Sequence, residues 1–202
     1  VCLLFGLSSA AEAAQKWEVG IAFLASAEGD EYQEAIDKNI QEIEKVSGGA
    51  YLKIGVFRDL LDRAEYRISS QGSVRAAPVT EIKKTTRGDS IFFAEEYLIR
   101  FFKEIFQNPN SKRLLIIYGH GHAYNGFELG SLLQLKRLLV DGLPARSTSE
   151  SRIPPLDALW MDSCLMGNVE VAYELRSIAH YYLGSEETEF ASGNPFDALS
   201  VL

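Results

Sequence analysis

Residues 159–175 read LWMDSCLMGNVEVAYEL, and the fold turns on how this stretch is parsed. The apolar run Leu156–Met161 stops at Asp162-Ser163-Cys164, and an amphipathic run, Val169–Leu175, begins a few residues later. Short apolar run, break, then helical period is the signature of a buried strand, a sharp turn and a helix. On that parse Cys164 stands where strand gives way to helix, and the positive end of a helix dipole favours a thiolate. The same residue also reads as one more small buried hydrophobe, which is what most free cysteines are. Taken alone, the stretch leaves both readings open.

A second stretch, residues 114–126, reads LLIIYGHGHAYNG. Leu114–Tyr118 is continuous, apolar and rich in β-branched residues, as expected of a central parallel strand. It ends in Gly119-His120-Gly121-His122, where glycines permit a tight turn and close approach of backbone to a ligand. His120 is therefore also expected at the carboxyl end of a strand. In open α/β sheets ligands collect in the crevice outside those ends. Two strands delivering a histidine and a cysteine to one edge would form a nucleophile–base pair.

These two blocks together resemble clan CD cysteine peptidases, and most closely the clostripain-like (C11) family. In that clan one hydrophobic block precedes His-Gly and a second precedes the residue before the nucleophilic Cys. Here those blocks are Leu114–Tyr118 before His120-Gly121, and Leu156–Met161 before Asp162-Ser163-Cys164. The family pattern Asp-Ala-Cys-Leu-Met-Gly is matched by Asp162–Gly167 with Ser163 for Ala, followed by Glu170–Leu175. Ser185-Glu186-Glu187 and Gly193–Leu199 resemble the family's Ser-Glu-Glu and Gly-Trp-Pro-Tyr-Asp segments, with Asn194 in place of the aromatic. The match runs from about Arg113 to Ala198 and is weak before it.

The resemblance implies a caspase-like α/β/α sandwich with a mostly parallel sheet, and acyl transfer by a Cys164/His120 dyad with no third member. His120 would support the thiolate or protonate the leaving amine. Gly121, free to turn its backbone N–H inward, is the expected oxyanion donor, together with the N–H of Cys164. Asp162 lies two residues before Cys164, so on an extended chain both side chains face the same way. A carboxylate there would pair with a basic P1 side chain, Arg before Lys because of the bidentate geometry. The family's basic P1 preference points the same way; the alternative is an aspartate that caps the following turn. Glu186, Glu187 and Asp197 are further candidates for the pocket wall, with plain surface charge as the default for each. Some relatives mature by self-cleavage between His and Cys, which here singles out Arg146 and Arg152. Calcium enters only because some family members are stimulated by it. No loop has calcium-binding spacing, and His120 with His122 is weak evidence for zinc, so no cofactor or metal is expected. His122 is the rival for the base, but only His120 is followed directly by glycine in the family's manner. His180 is expected to end a helix and to be structural.

The remainder of the chain fits one globular domain: 202 residues, with 47% hydrophobic and 24% charged residues, suffice for one sizeable core. A formal charge of −8 and no basic run argue against a nucleic-acid partner. Val1–Ala14 resembles the tail of a secretory signal, with a cleavage-like Ala11-Glu12-Ala13. It is too short to span a bilayer. The domain reading is therefore 1–13 as leader and 14–202 as peptidase domain, either truncated at its carboxyl end or a compact variant. Removal of the leader would remove Cys2 and leave Cys164 alone.

A first strand is expected at Lys16–Ala25, a helix at Glu28–Val46 with Tyr32, Ile36, Ile40 and Ile43 on one face, and a second strand at Tyr51–Phe57. Arg58–Thr86 shows no steady period and reads either as a hairpin or as an excursion near the cleft. A helix capped by Asp89 or Ser90 should reach about Phe106, and another should cover Leu129–Val140. Asp141–Pro155 reads as an exposed loop, Val169–His180 as a helix and Tyr181–Gly184 as a strand. The functional expectation is a monomeric, secreted or periplasmic bacterial cysteine endopeptidase, acting on peptides or proteins after basic P1 residues. The alternative is an inactive or regulatory module of the same fold that binds peptides without cutting them. A flavodoxin-like binding domain is disfavoured, since no phosphate-binding glycine loop follows the first strand.

Overall fold

The computed structural model of the chain describes residues 16–25, 29–48, 51–70, 72–83, 91–127, 130–146, 153–190 and 192–202. The expected leader, Cys2, Arg152 and the Asp89 or Ser90 cap lie outside the described residues. In chain order the elements are β1 (Trp17–Phe23), α1 (Asp30–Ile43), the short β2 (Ser47–Gly48), β3 (Leu52–Asp59), β4 (Arg63–Ser69), the short β5 (Gly72–Ser73) and β6 (Thr80–Lys83). There follow α2 (Ile91–Ile105), β7 (Lys112–Tyr118), α3 (Leu132–Gly142), β8 (Leu156–Asp162), α4 (Val169–Leu175), β9 (Ala179–Gly184) and a 3-10 turn, Phe196–Val201.

Seven strands form one sheet in the order β6-β4-β3-β1-β7-β8-β9. β3, β1, β7, β8 and β9 run parallel, while β4 and β6 are antiparallel additions. The fold is thus the mixed α/β sandwich expected, its inner parallel strands β3, β1, β7 and β8 largely buried on both faces. One face packs α2, α3 and α4 through Phe101, Phe102, Leu135, Leu139, Val171 and Leu175. The other packs α1 and the 3-10 turn through Ile36, Ile43, Phe196 and Leu199. After β1 the chain moves outward to β3 on one side; β7 returns to the other flank of β1 and the chain continues to β8. That reversal is a topological switch point, and its crevice opens at the carboxyl ends of β1 and β7.

Several sequence expectations are corrected in detail. The unsettled region after Arg58 is a hairpin, with Leu60 N–H donating to the Arg63 carbonyl at 2.8 Å. It extends the sheet at the edge away from β7 and β8, so it is not an excursion over the cleft. The helix expected from Val169 to His180 stops at Leu175, and His180 lies exposed in β9. The alternating AHYYLG run pairs with β8 as a strand, which removes the helix-end role read for His180. α1 is shorter than read, and its buried face also carries Asn39, 1% exposed.

The amino-terminal edge of the sheet is held by charge. Arg113 is 1% exposed and donates to the carbonyls of Pro144 at 2.8 Å and of Phe106 and Asn108 at 3.4 Å, with Glu18 at 3.8 Å. Asp157 accepts the Arg113 backbone N–H at 2.8 Å and the Lys112 ammonium at 3.1 Å, and is ion-paired with Arg146. Burial alone would raise the Asp157 carboxyl, but those three partners hold it below the ordinary range. The network ties β7 to β8 at the end remote from their tips and leaves the carboxyl ends to carry function.

Candidate active site

β7 and β8 are neighbours, parallel and in register, with Tyr118 beside Asp162. The next residues of each strand therefore leave the sheet on the same edge. His120 emerges from one tip and Cys164 from the other, each two residues past the registered pair. The His120 ring is half-buried against Tyr32 of α1, with centroids 4.7 Å apart. The exposed His122 ring stacks beyond it at 6.4 Å. Tyr32 sits at the start of α1, so the switch point brings a residue from the first crossover against the second tip.

Gly121 is where the two tips meet. A Cβ on Gly121 would stand 2.0 Å from the Cys164 carbonyl oxygen and 2.5 Å from Met166 Cγ. The first of those neighbours is backbone and cannot give way. Gly121→Ala is expected to push the two tips apart, lowering stability by about 1–3 kcal/mol, as overpacking does. A denaturant titration of the variant checks this, with an unchanged midpoint as the contrary result.

Cys164 does not open directly into a helix. Leu165 takes a left-handed conformation, φ 59°, and Cys164–Gly167 form a turn before the Asn168 cap, whose side chain accepts the Val171 N–H at 3.0 Å. α4 is only seven residues long and starts five residues beyond Cys164. The helix-dipole support expected for the thiolate is replaced by a backbone donor from elsewhere. The N–H of Glu189 donates to Cys164 Sγ at 3.2 Å, while the Glu189 carbonyl lies 3.7 Å from the sulfur. The strap that carries Glu189 is laced to the turn: Leu165 N–H donates to the Glu187 carbonyl at 3.0 Å and Gly167 N–H to the Ser185 carbonyl at 2.7 Å. The Gly167 backbone comes so close to the strap that a Cβ there would be 2.5 Å from the Gly184 carbonyl oxygen. Tyr182 closes the turn from below, its hydroxyl donating to the Met166 carbonyl at 2.7 Å.

Asp162 ends β8 and is 2% exposed. Asn194 Nδ2 donates to its Oδ1 at 2.6 Å. The carboxyl of Glu189 lies close enough for its charge to act on that of Asp162. Burial pushes Asp162 upward from the ordinary carboxylate range, against the hydrogen bonds from Asn194. Glu189 is pushed up to about 7, by burial first and then by the neighbouring Asp162 carboxyl. Gly193 lies against the same floor: a Cβ on it would meet Asn39 Nδ2 at 2.8 Å and Asp162 Oδ2 at 3.4 Å.

The other sequence candidates lie apart from this cluster. The side chains of Glu186, Glu187 and Asp197 are exposed, and Glu187 contributes its carbonyl to the strap. Arg146 is held by Asp157 at the far end of β8, five residues or about 16 Å of strand from Asp162. Sequence reasoning missed Glu189, Asn194 as a donor, Asn39 and Tyr32. Only Asn194 carried a signal, as the polar residue standing where the resemblance calls for an aromatic. Among the described residues no cluster of three or more metal-ligating side chains occurs, and no helix is long and apolar enough to cross a membrane.

Comparisons with known proteins bear on the fold and the family. The model of the clostripain family matches residues 31–202. No curated protein matches the chain. Among solved structures, a secreted C11 cysteine protease from Bacteroides thetaiotaomicron, in complex with an irreversible peptide inhibitor, superposes with TM-score 0.65 at 15% identity. The alignment covers 93% of this chain and 53% of that one. An inactive zymogen C11 protease from Parabacteroides distasonis gives TM-score 0.55 at 20% identity, over 93% of this chain and 53% of the other. The chain thus spans about half the length of the solved relatives it matches. At these identities the superpositions establish the fold, and the family model establishes the kinship.

Proposed function

The chain belongs to the clostripain family, and from that membership we propose that it is a cysteine endopeptidase cleaving after basic P1 residues, Arg before Lys. The observation that carries this reading is the in-register pair of neighbouring strands, Tyr118 beside Asp162, whose tips carry His120 and Cys164 two residues further on, with the Asp162 carboxyl buried. The Cys164 thiol gives its proton to His120, and the thiolate sulfur attacks the scissile carbonyl, forming the C–S bond and moving the carbonyl electrons to oxygen. The resulting oxyanion is met by the N–H of Gly121 with that of Cys164, the kind of donor whose loss costs about 3 kcal/mol. Collapse expels the amine, which takes its proton from His120, and water then releases the acid from the thioester. Ser163 is no rival nucleophile. It is 2% exposed, and its hydroxyl donates inward to the Ile117 carbonyl at 3.4 Å.

A P1 guanidinium would enter beside the sulfur and meet Asp162, where charge-assisted, bidentate pairing favours Arg over Lys. Export to the periplasm or cell exterior is part of the proposal, supported by the leader-like Val1–Ala14 and by the secreted relative.

The test is hydrolysis of fluorogenic peptides that differ only at P1. Arg is expected to be cleaved best, Lys roughly ten-fold more slowly, and Leu or Gln at background. Uniform cleavage across the panel would remove the basic-P1 reading, and no cleavage of any member would favour the peptide-binding module.

A further inference from the structure

We propose that Tyr32, in the first turn of α1, is the positioning residue of His120: its ring fixes the orientation in which the imidazole serves Cys164, and it acts on the chemistry only through that histidine. The inference rests on the reading of His120 and Cys164 as the reacting pair and deepens it. Three observations carry it.

The first is the contact. The rings of Tyr32 and His120 lie 4.7 Å apart between centroids and are inclined at 48°. Ring pairs at such separations attract and favour particular inclinations, so the contact selects an orientation as well as a place. The His122 ring, nearly parallel to that of His120 at 15°, is farther off at 6.4 Å and exposed.

The second is the need for a support. His120 stands between Gly119 and Gly121 on a strand tip, where the chain is least restrained by its own side chains. Proton transfer needs the imidazole aligned within hydrogen-bond reach, and a misplacement of about 1 Å costs on the order of a hundred-fold in rate. A helix holds such a support more precisely than a loop does.

The third is how the support is mounted. Gln33, the residue after Tyr32, donates from Nε2 to the Ala25 carbonyl just beyond β1 at 2.8 Å, and its Oε1 accepts Arg58 Nη2 of β3 at 3.0 Å. Arg58 Nη1 donates to Asp37 Oδ1, one turn further along α1, at 2.6 Å. In the sheet β1 lies between β3 and β7, and Arg58, Phe23 and Tyr118 share one register layer. The start of α1 is therefore pinned to the carboxyl ends of β3 and β1 while Tyr32 reaches the tip of β7. Tilting α1 away from His120 would break these side-chain hydrogen bonds. Tyr32 itself exchanges no proton; the relay remains from the Cys164 thiol to His120 and from His120 to the leaving amine.

The test is a double-mutant cycle on the full chain, read on two scales. One is kcat and KM for an Arg-P1 fluorogenic peptide, per titrated Cys164 thiol. The other is the rate at which iodoacetamide alkylates Cys164, followed by mass spectrometry on the Cys164 peptide so that Cys2 does not contribute. Tyr32→Leu keeps apolar bulk and removes the ring. It is expected to lower kcat about ten- to a hundred-fold with KM within about two-fold, and to slow alkylation roughly three- to ten-fold. Tyr32→Phe, which keeps the ring, should retain about half or more of both rates. In a His120→Ala background Tyr32→Leu should change alkylation by less than about two-fold, because nothing is left to position.

A merely structural Tyr32 would lower the titrated thiol fraction or the melting temperature and slow alkylation equally in both backgrounds. Equal slowing, native alkylation in Tyr32→Leu, or Tyr32→Phe as poor as Tyr32→Leu overturns the proposal. If the native chain cleaves no peptide while the alkylation cycle shows the coupling, the endopeptidase reading falls and the positioning role stands. If the native chain cleaves the Arg peptide and the cycle shows no coupling, the positioning role falls alone. Alkylation unchanged by His120→Ala overturns the reacting pair and the role of Tyr32 with it.

Discussion

Replacing Cys164 by alanine is expected to drop hydrolysis of an Arg-P1 peptide to background, a loss of at least about 10⁴-fold in kcat/KM. No other group near the tips can take over. Ser163 is turned inward on the Ile117 carbonyl, and the exposed His122 is followed by Ala123 rather than glycine and lacks the packing of His120 against Tyr32. The cost in stability should be small. The sulfur is only half-buried and its single N–H partner, Glu189, sits in an accessible strap, so the melting temperature should move by no more than about 2–4 °C. A folded, inactive Cys164→Ala protein is the expected pair of results. Full activity in that variant would remove the sulfur from the chemistry, whatever the fold.

Asp162→Asn is expected to act selectively. Asn194 keeps its acceptor and the volume is unchanged, so the packing against Gly193 survives. What goes is the negative charge that a P1 guanidinium would meet in a desolvated site. Removing one partner of such a buried pair costs about 3 kcal/mol or more, so kcat/KM for Arg should fall a hundred-fold or more. Cleavage of a Leu-P1 peptide should stay at background. Stability should not fall. Burial raises the Asp162 carboxyl, so its contribution is present below the ordinary aspartate range and is lost as pH rises through the raised value. The neutral amide escapes that loss, and near neutral pH the variant should melt at or above the native temperature. An Arg preference that survives Asp162→Asn would assign the pocket charge to another residue.

The parts of the site that could be read in the chain are those written locally. Leu114–Tyr118 and Leu156–Asp162 declare themselves as buried strands by unbroken apolar character, and each is followed at once by its chemical residue. That is why the strand ends on which His120, Cys164 and Asp162 stand were legible, and why a mostly parallel sandwich followed. Misreadings arose where local preference competed with pairing. The AHYYLG run satisfies a helix as a continuation of Val169–Leu175, but its backbone finds donors and acceptors along β8, and the strand wins. Hydrophobic period alone does not report which edge is free to accept a strand.

By itself the sequence determined the order of strand and helix, the two tips that carry histidine and cysteine, and the family to which they belong, because each depends on residues within a few positions of one another. The tertiary structure alone decided that β7 and β8 are neighbours in register, that the hydrogen bond to the sulfur comes from the Glu189 N–H and not from a helix end, and that Asn39 and Tyr32 of α1 border the candidate site. It also decided that Glu189, rather than Glu186 or Glu187, turns inward. Those are contacts between segments far apart in the chain, or choices between adjacent like residues made by the path of a strap. Composition and period carry no record of either, since the free energy that selects them comes from burial and hydrogen bonding across the fold.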